Sequence, residues 1–228
     1  MTDLFDDHAT HYDQALERGI SLSGESKSYF ARGRISWLKR NIKAYQSSPK
    51  SVLDFGCGTG TAAPYFIELL GVDHVIGVDS SSAALEVAKR SIDSSRSTFY
   101  QLEHYEPAGV IDLAFSNGVF HHILPTLRPD AVRYVFNSLA SGGLFSLWEN
   151  NPWNPATRLV MKRIPFDRDA RTLSALEAHR LLRSVGFQVL RTDFLFIFPR
   201  FLRTFRGLER HLSRLPLGTQ YQVLCRKP

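Results

Sequence analysis

The stretch VLDFGCGTG, Val52–Gly60, predicts the fold of this chain. An apolar run ends in Asp54, and three glycines, Gly56, Gly58 and Gly60, follow it at alternate positions before a helix-forming segment. A glycine-rich turn between a strand and a helix lets the backbone approach a nucleotide-like ligand, because no Cβ atom stands in the way. The stretch therefore predicts a nucleoside-binding turn.

A second expected strand, 74–78, ends in an acid that fits the same kind of site. Asp79 follows Gly56 at close to the ~20-residue spacing expected for a carboxylate that accepts the ribose hydroxyls of an adenine cofactor. Ser80 comes directly after it. We therefore expect Asp79 and Ser80 to contact the nucleoside part of a cofactor.

The positions of the small residues distinguish between two cofactor classes. The dinucleotide pattern G-x-G-x-x-G/A places its third small residue where this chain has Thr61, and Gly60 comes one position early. A carboxylate at Asp54 would repel a pyrophosphate, whereas it suits a cationic amino-acid group. An NAD-type Rossmann enzyme is therefore the less favoured alternative.

The same segment resembles motif I of class I S-adenosylmethionine-dependent methyltransferases, an apolar pair followed by D/E-x-G-C/S-G-x-G. The resemblance implies S-adenosylmethionine as cofactor and S-adenosylhomocysteine as product. It places Asp54 near the amino-acid end of the cofactor. The turn residues expected around the cofactor are Gly56, Cys57, Gly58 and Gly60.

Short β-branched runs alternate with helix-forming segments, which predicts a parallel sheet covered on both faces. The expected strands are 51–55, 74–78, 97–101, 110–116, 143–149, 187–197 and 219–226. The expected helices of the core are 60–70, 81–94, 129–140, 174–185 and about 200–214. For the helix 174–185, Ser174 and Glu177 form a capping box and Gly186 is the stop. The class I resemblance implies a Rossmann-like α/β fold, a mostly parallel seven-stranded sheet with one antiparallel strand.

We expect a single domain, because an α/β fold of this length is commonly one domain. The expected parts of the domain 1–228 are a cap, 1–48, with helices 3–18 and 26–46, a Rossmann-like core, 50–226, and a substrate lid, 150–172.

Tyr12 is a candidate cofactor contact in the first helix. By resemblance to small-molecule methyltransferases, an aromatic residue at this place folds over the cofactor. An ordinary amphipathic helix explains it equally well, because Phe5, Ala9 and Tyr12 recur at helical spacing.

The residues after strand 110–116 are the best candidates for chemistry. Ligands of open α/β sheets bind beyond the carboxyl ends of the strands, so Asn117, His121 and His122 should line the site. The segment resembles the type-11/12 methyltransferases, in which Asn117 would lie near the methionine part of the cofactor. One histidine of the pair is a candidate base or substrate contact, because imidazole titrates near physiological pH. The alternative is a structural role.

The segment after strand 97–101 departs from the family pattern. The usual Gly-Asp near the adenine is missing, and the chain has Leu102 and Glu103 there. Glu103 or the backbone around Leu102 is the expected adenine contact.

Two further features lie beyond strand 143–149. Glu149 ends this strand on the ligand side and is a second candidate base or substrate contact, with a surface glutamate as the alternative. The long link that follows is the expected lid, in which Arg168 and Arg171 are available for an acidic group. The alternative is a surface loop.

The C-terminal segment 194–215 interleaves phenylalanine and leucine with arginine. A basic amphipathic helix of this kind can lie on an anionic membrane, which would be the inner face of the cell membrane. Alternatively, it can cover the sheet and expose its arginines to solvent. The membrane alternative predicts a lipid-linked or amphiphilic substrate.

The composition limits the class of protein. Hydrophobic content of 43% supports a core, and the two cysteines, Cys57 and Cys225, fit buried thiols in a reducing compartment better than a disulfide. No apolar run approaches the ~18 residues of a membrane span, and the acidic N-terminus is unlike a signal peptide, so a cytoplasmic location is favoured. Nothing indicates a metal site.

We interpret the chain as a methyltransferase that methylates a small-molecule or lipid-linked acceptor, most readily at oxygen. The net charge of +6 leaves an RNA methyltransferase as an alternative, although no RNA-binding module accompanies it. A non-catalytic S-adenosylmethionine-binding scaffold is the other alternative.

Overall fold

The computed structural model describes Gly19 and residues 21–93, 95–164 and 170–228. Its strands are β1 (Ser51–Phe55), β2 (His74–Asp79), β3 (Ser97–Gln101), β4 (Ile111–Asn117), β5 (Leu139–Asn150), β6 (Gln188–Leu195) and β7 (Gln220–Arg226). Its α-helices are α1 (Lys27–Ala44), α2 (Ala63–Tyr65), α3 (Ser82–Ser91), α4 (Arg128–Ser138), α5 (Pro155–Arg163), α6 (Ala175–Val185) and α7 (Glu209–Leu212). None of the helices in these residues is long and apolar enough to cross a bilayer.

The seven strands form one sheet in the order β3-β2-β1-β4-β5-β7-β6. The first five strands pair in parallel, and β7 runs antiparallel between β5 and β6. This confirms the predicted Rossmann-like sheet. The strand order reverses between β1 and β4, and ligands of open α/β sheets bind beyond such a point.

Helices cover both faces of the sheet because the strands alternate their apolar side chains between two cores. Leu53 and Phe55 of β1 pack with α4 and α6, through residues such as Val132 and Leu182. Val52 packs on the opposite face with α1 and α3. The alternation of β1 therefore anchors the glycine turn from both sides.

Several predicted elements match the structure closely. β1 and β3 have the predicted bounds, and the second predicted N-terminal helix is α1. Ser174 and Glu177 form the predicted capping box, and Gly186 ends α6 with a left-handed φ of 112°. The first predicted helix, 3–18, lies outside the described residues.

Two predicted helices differ in detail from the structure, and one helix was not predicted. The helix predicted at 60–70 begins at Ala63 and continues as a π-helix over Phe66–Leu70. The helix predicted at 200–214 is a 3-10 helix, Arg200–Leu208, followed by the single α-turn of α7. Within the predicted lid, α5 was missed, although Asn154 caps it and Pro155 starts it.

Candidate active site

A cavity of about 230 Å³ lies beyond the carboxyl ends of β1 and β4, where the strand order reverses. The glycine turn, the loop after β4, α1 and α5 all contribute to its wall. The predicted site residues that line it are Asp54, Gly56, Cys57, Gly58, Asn117, His121 and His122. The structure therefore brings the expected cofactor turn and both histidines to one cavity.

The glycine turn is held against the end of β2. Gly56 N and Cys57 N both donate to Val78 O, at 2.8 and 3.1 Å. Gly58 N donates to Asp79 Oδ2 at 2.7 Å, and Ser81 N donates to Asp79 Oδ1 at 2.9 Å. The carboxylate predicted to face a ribose therefore fixes the turn, although Asp79 is not itself one of the residues that line the cavity.

The three glycines of the turn have different surroundings. A Cβ atom on Gly58 would meet nothing within 4 Å, and φ is 53° there, so this backbone is open on the cavity side. A Cβ on Gly60 would lie 3.1 Å from Phe99 and 3.2 Å from Ala88. Gly60 does not line the cavity and instead lets α3 pack on β3.

Asp54 is a buried acid at the base of the cavity. The residue is only 4% exposed. Burial, together with the nearby charge of Asp79, raises the pKa of Asp54 to about 7, while Arg34 acts in the opposite direction. A carboxylate in this position would be stabilised by a bound cation, and an ammonium group is of suitable charge.

Asn117 supplies a buried acceptor at the end of β4. Within the described part of the chain, Asn117 Oδ1 is inaccessible to solvent and has no hydrogen-bond partner, and the same holds for Ser116 Oγ. Buried polar atoms are nearly always paired in folded proteins. An unpaired oxygen on a cavity residue therefore fits a ligand that donates a hydrogen bond.

His121 and Glu149 form a buried pair beside the cavity. Both side chains are almost inaccessible, and His121 Nδ1 lies 2.6 Å from Glu149 Oε2. The other carboxylate oxygen accepts Phe120 N at 2.7 Å. An ionised carboxylate can only accept, so this contact favours the tautomer of His121 with its proton on Nδ1.

This arrangement corrects the expectation for Glu149. The residue is 1% exposed, so the surface alternative was wrong. Glu149 does not line the cavity either, and both of its oxygens are occupied within the chain. It therefore orients His121 from behind the lining of the cavity. The ring of His122 lies 4.1 Å from that of His121 and borders the same cavity.

A buried arginine fixes the loop that carries the histidines. Arg128 Nε donates to Phe120 O at 2.9 Å and to Ile123 O at 3.1 Å. Arg128 also donates to Arg171 O, and Arg171 N donates to His121 O at 2.9 Å. Arg171, predicted as a contact for an acidic group, thus uses its backbone to join the end of the lid to the loop after β4.

Other predicted residues lie away from the cavity or outside the described residues. Ser80 and Glu103 are exposed, and Leu102 accepts a hydrogen bond from Tyr134 Oη through its carbonyl at 3.1 Å. None of these three lines the cavity. Tyr12 and Arg168 fall outside the described residues.

Sequence reasoning missed the parts of the wall that come from α1 and α5. Lys27, Phe30 and Arg34 lie on one side of α1, at spacings of three and four residues, and all line the cavity. Lys27 Nζ donates to Thr59 Oγ1 at 3.0 Å, which ties α1 to the glycine turn. Thr157 and Met161 contribute from α5 at the same kind of spacing. Helical spacing is the signal that could have found them.

The residues present fit S-adenosylmethionine. The cofactor has a cationic amino-acid end, which suits the buried Asp54, and hydrogen-bond donors, which suit the unpaired Asn117 Oδ1. The open space at Gly58 admits it without a Cβ clash. The two cysteines are both free thiols, and burial raises the pKa of the cavity residue Cys57 well above its usual range.

Comparison with known proteins gives a consistent result. The model of a family described as a methyltransferase domain matches residues 29–192. A trans-aconitate 2-methyltransferase from Rhizobium etli is 30% identical over 113 residues, which cover 50% of this chain and 43% of that protein. The chain spans about half the length of the curated relatives it matches.

Solved structures share the fold. An S-adenosylmethionine-dependent methyltransferase from Thermotoga maritima superposes with a TM-score of 0.65 at 18% identity, with 100% of both chains covered. A second one, from Mesorhizobium loti, has a TM-score of 0.59 at 20% identity and covers 78% of this chain and 90% of that one.

Proposed function

We propose that this chain, which belongs to the family of class I S-adenosylmethionine-dependent methyltransferases, transfers the methyl group to an oxygen of a small-molecule or lipid-linked acceptor. Methyl transfer and the cofactor follow from the family. The choice of an oxygen acceptor rests on one observation, the buried His121–Glu149 pair beside the cavity.

S-adenosylmethionine supplies, when bound, a methyl group on a sulfonium that is already electrophilic. The residues of the chain then hold the acceptor in line with that methyl group, and a near-attack distance of ~3 Å accounts for much of the rate. A hydroxyl acceptor has a further need, because its proton must be removed as the new bond forms.

The cofactor roles follow from charge and hydrogen bonding. Asp54 holds the ammonium group, since a cation relieves the cost of ionising a buried carboxylate. Asn117 accepts a hydrogen bond through Oδ1. Asp79, held by Gly58 N and Ser81 N, accepts the ribose hydroxyls with the lone pairs that remain.

His121 is the proposed base. Glu149 keeps the proton on Nδ1, and so Nε2 is in the form that accepts a proton from a hydroxyl. As Nε2 takes the proton, the imidazolium that forms is stabilised by the carboxylate 2.6 Å away. His122, beside it, contacts the acceptor.

The predicted lid becomes the acceptor wall in this proposal. Thr157, Met161 and Ile164 line the cavity from α5 and its end, opposite Phe30 of α1. These side chains are mostly apolar, which suits an acceptor with a hydrophobic part and favours exclusion of water.

A carboxylate acceptor is the second candidate, because the matched relatives are named trans-aconitate 2-methyltransferases. The cavity carries two cations from α1, Lys27 and Arg34, that suit an anionic acceptor. Trans-aconitate presents only carboxylate oxygens, which need no base. The two candidates therefore differ in whether turnover depends on the His121–Glu149 pair.

The test replaces Glu149 by Gln. The amide can satisfy Phe120 N with its oxygen only by turning its NH₂ group toward His121 Nδ1, which moves the imidazole proton to Nε2. Calorimetry should show unchanged S-adenosylhomocysteine affinity, and ¹⁵N NMR should show the changed tautomer of His121. Radiolabelled methyl transfer to hydroxylated acceptors should fall by about 10²- to 10⁴-fold. Glu86→Gln on α3 is the matched control, an exposed glutamate paired with Lys89.

Two outcomes would contradict the base assignment. One is a wild-type His121 that carries its proton on Nε2. The other is full turnover of a hydroxyl acceptor by Glu149→Gln. Turnover of trans-aconitate by both the wild type and Glu149→Gln would support the carboxylate candidate instead.

A further inference from the structure

The C-terminal segment Arg200–Leu217 leaves large apolar side chains in solvent. Phe201 is 79% exposed, and four other residues are about half exposed. These four are Phe205, Leu208, Leu215 and Leu217. The 3-10 helix Arg200–Leu208 has no buried residue. The segment therefore presents much of its apolar surface to solvent, while Leu202 and Leu212 are partly buried.

The same segment is strongly cationic. Its arginines are Arg200, Arg203, Arg206, Arg210 and Arg214, and its one acid is Glu209. Both oxygens of Glu209 accept backbone N–H groups, from Phe196 at 3.2 Å and from Phe198 at 3.0 Å. The acid is thus used to hold the segment to the chain. The outer surface combines apolar and positively charged side chains, which is the pattern of segments that lie at an anionic lipid interface.

The segment lies next to the cavity. Arg206 donates to Glu25 Oε1 at 2.9 Å and stacks over Tyr29, with 4.7 Å from its guanidinium carbon to the ring centroid. Arg200 packs against Gly24. Ser23 and Lys27, on either side of these contacts, line the cavity. A surface bound through Arg200–Leu217 would therefore lie close to the acceptor side of the site.

We propose that Arg200–Leu217 is a docking surface for an anionic lipid bilayer. Phe201, Phe205 and Leu208 enter the boundary between headgroups and acyl chains, while the exposed Arg203 and Arg210 contact the headgroup phosphates. The exposed Leu208, Leu215 and Leu217 favour a bilayer over RNA, because bases stack on aromatic rings and gain nothing comparable from leucine. The docking surface goes beyond the proposed reaction and does not depend on which atom is methylated.

Sedimentation of the full chain with vesicles tests this proposal. Vesicles of phosphatidylcholine with phosphatidylglycerol should bind the protein, pure phosphatidylcholine should bind it much less, and added salt should release it. Phe201→Ser should weaken binding about tenfold, and Arg203→Glu should weaken it at least about fivefold. The matched controls are Val110→Ser and Arg90→Glu, an exposed valine and an exposed arginine on other surfaces.

The folding of each variant is checked by its affinity for S-adenosylhomocysteine, which should equal that of the wild type. Equal binding to both kinds of vesicle, or wild-type binding by both Phe201→Ser and Arg203→Glu, would overturn the proposal. A dimer in analytical ultracentrifugation that Phe201→Ser dissociates would overturn it too, and would assign the surface to a second copy of the chain. A protein that binds vesicles but does not transfer a methyl group would contradict the proposed function and would leave the docking surface supported.

Discussion

Replacing Asp54 by Asn should remove the loss of stability that we expect this buried acid to cause between about pH 4 and pH 7. Asp54 ends β1 beneath the glycine turn and is 4% exposed. Burial and the charge of Asp79 raise its pKa from 3.8 to about 7 in the folded chain. In the unfolded chain the carboxyl group ionises near its ordinary value.

The sign follows from where each state holds the proton. Below about pH 4 both states are protonated at Asp54, whereas between pH 4 and 7 the unfolded state has released a proton that the folded state keeps. Stability contributed by the neutral acid is thus fully present at low pH and falls as the pH rises, by about 1.4 kcal/mol per unit. Over the shift from 3.8 to about 7 the loss is about 4 kcal/mol. An amide cannot ionise, so Asp54→Asn escapes this loss.

Urea unfolding followed by tryptophan fluorescence between pH 4.5 and 8 measures the effect. The difference in free energy of unfolding between Asp54→Asn and the wild type should grow in favour of the variant as the pH rises, and level off above pH 7. Asp73→Asn removes an exposed carboxylate of the same size and should parallel the wild type. A difference that stays constant from pH 5 to pH 7 would refute the reasoning.

The cofactor gives a second readout of the same group. An ammonium near Asp54 favours its ionised form, so binding of S-adenosylhomocysteine below pH 7 should release a proton from the folded chain. Calorimetry in two buffers of different ionisation enthalpy measures that proton. Asp54→Asn should bind more weakly and release none from this position.

Three further predictions concern the turn and the core. Gly58→Ala should weaken S-adenosylhomocysteine binding at least tenfold in calorimetry, since its Cβ would enter the open cavity, and should lower the free energy of unfolding by about 1–2 kcal/mol because φ is 53° there. Gly60→Ala should lower the free energy of unfolding more, by about 3 kcal/mol, because its Cβ would press on Phe99 and Ala88 at a φ of 73°. Asp193→Asn should destabilise the fold by about 3 kcal/mol in urea unfolding, because the buried carboxylate accepts from Trp37 Nε1 and Asn41 Nδ2 and pairs with Arg191. Burial raises the pKa of Asp193, but these hydrogen bonds and the charge of Arg191 lower it by more, so the pKa in the folded chain is below its ordinary value. The stability that the ionised carboxylate contributes is therefore present above the unfolded pKa and is lost as the pH falls through the folded value.

The cofactor half of the site was predictable from sequence because it is local. The cofactor turn follows β1 directly, so Asp54 and the three glycines lie within a few residues of each other. Asp79 ends the next strand along the chain. Period-two apolar patterning then fixes which side chains of β1 enter each core. The packing of Gly60 against α3 and β3 was not predictable in this way, because it depends on how those elements dock.

The His121–Glu149 pair was not predictable as a pair. Each residue follows from its own strand end, but their contact depends on the register of β4 and β5, in which Asn117 lies opposite Trp148. That register places Glu149 next to the loop after β4. Burial on both sides of β5 then makes Glu149, predicted as a candidate base with a surface position as the alternative, the buried partner of a histidine. Such contacts arise from tertiary packing, which a linear pattern does not contain.

The two halves of the site also differ in how they can change. In the proposed assignment, donor binding relies on the backbone of one turn and on the acids Asp54 and Asp79, whereas the proposed acceptor wall consists of side chains from α1, the loop after β4 and α5. Substitutions at Phe30 or Met161 alter the acceptor wall without touching the turn. Their effects should therefore appear in the choice of acceptor, with affinity for S-adenosylhomocysteine retained. The identity of the acceptor is thus a property of elements that are distant in sequence, which explains why a motif can specify the methyl donor and leave the acceptor open.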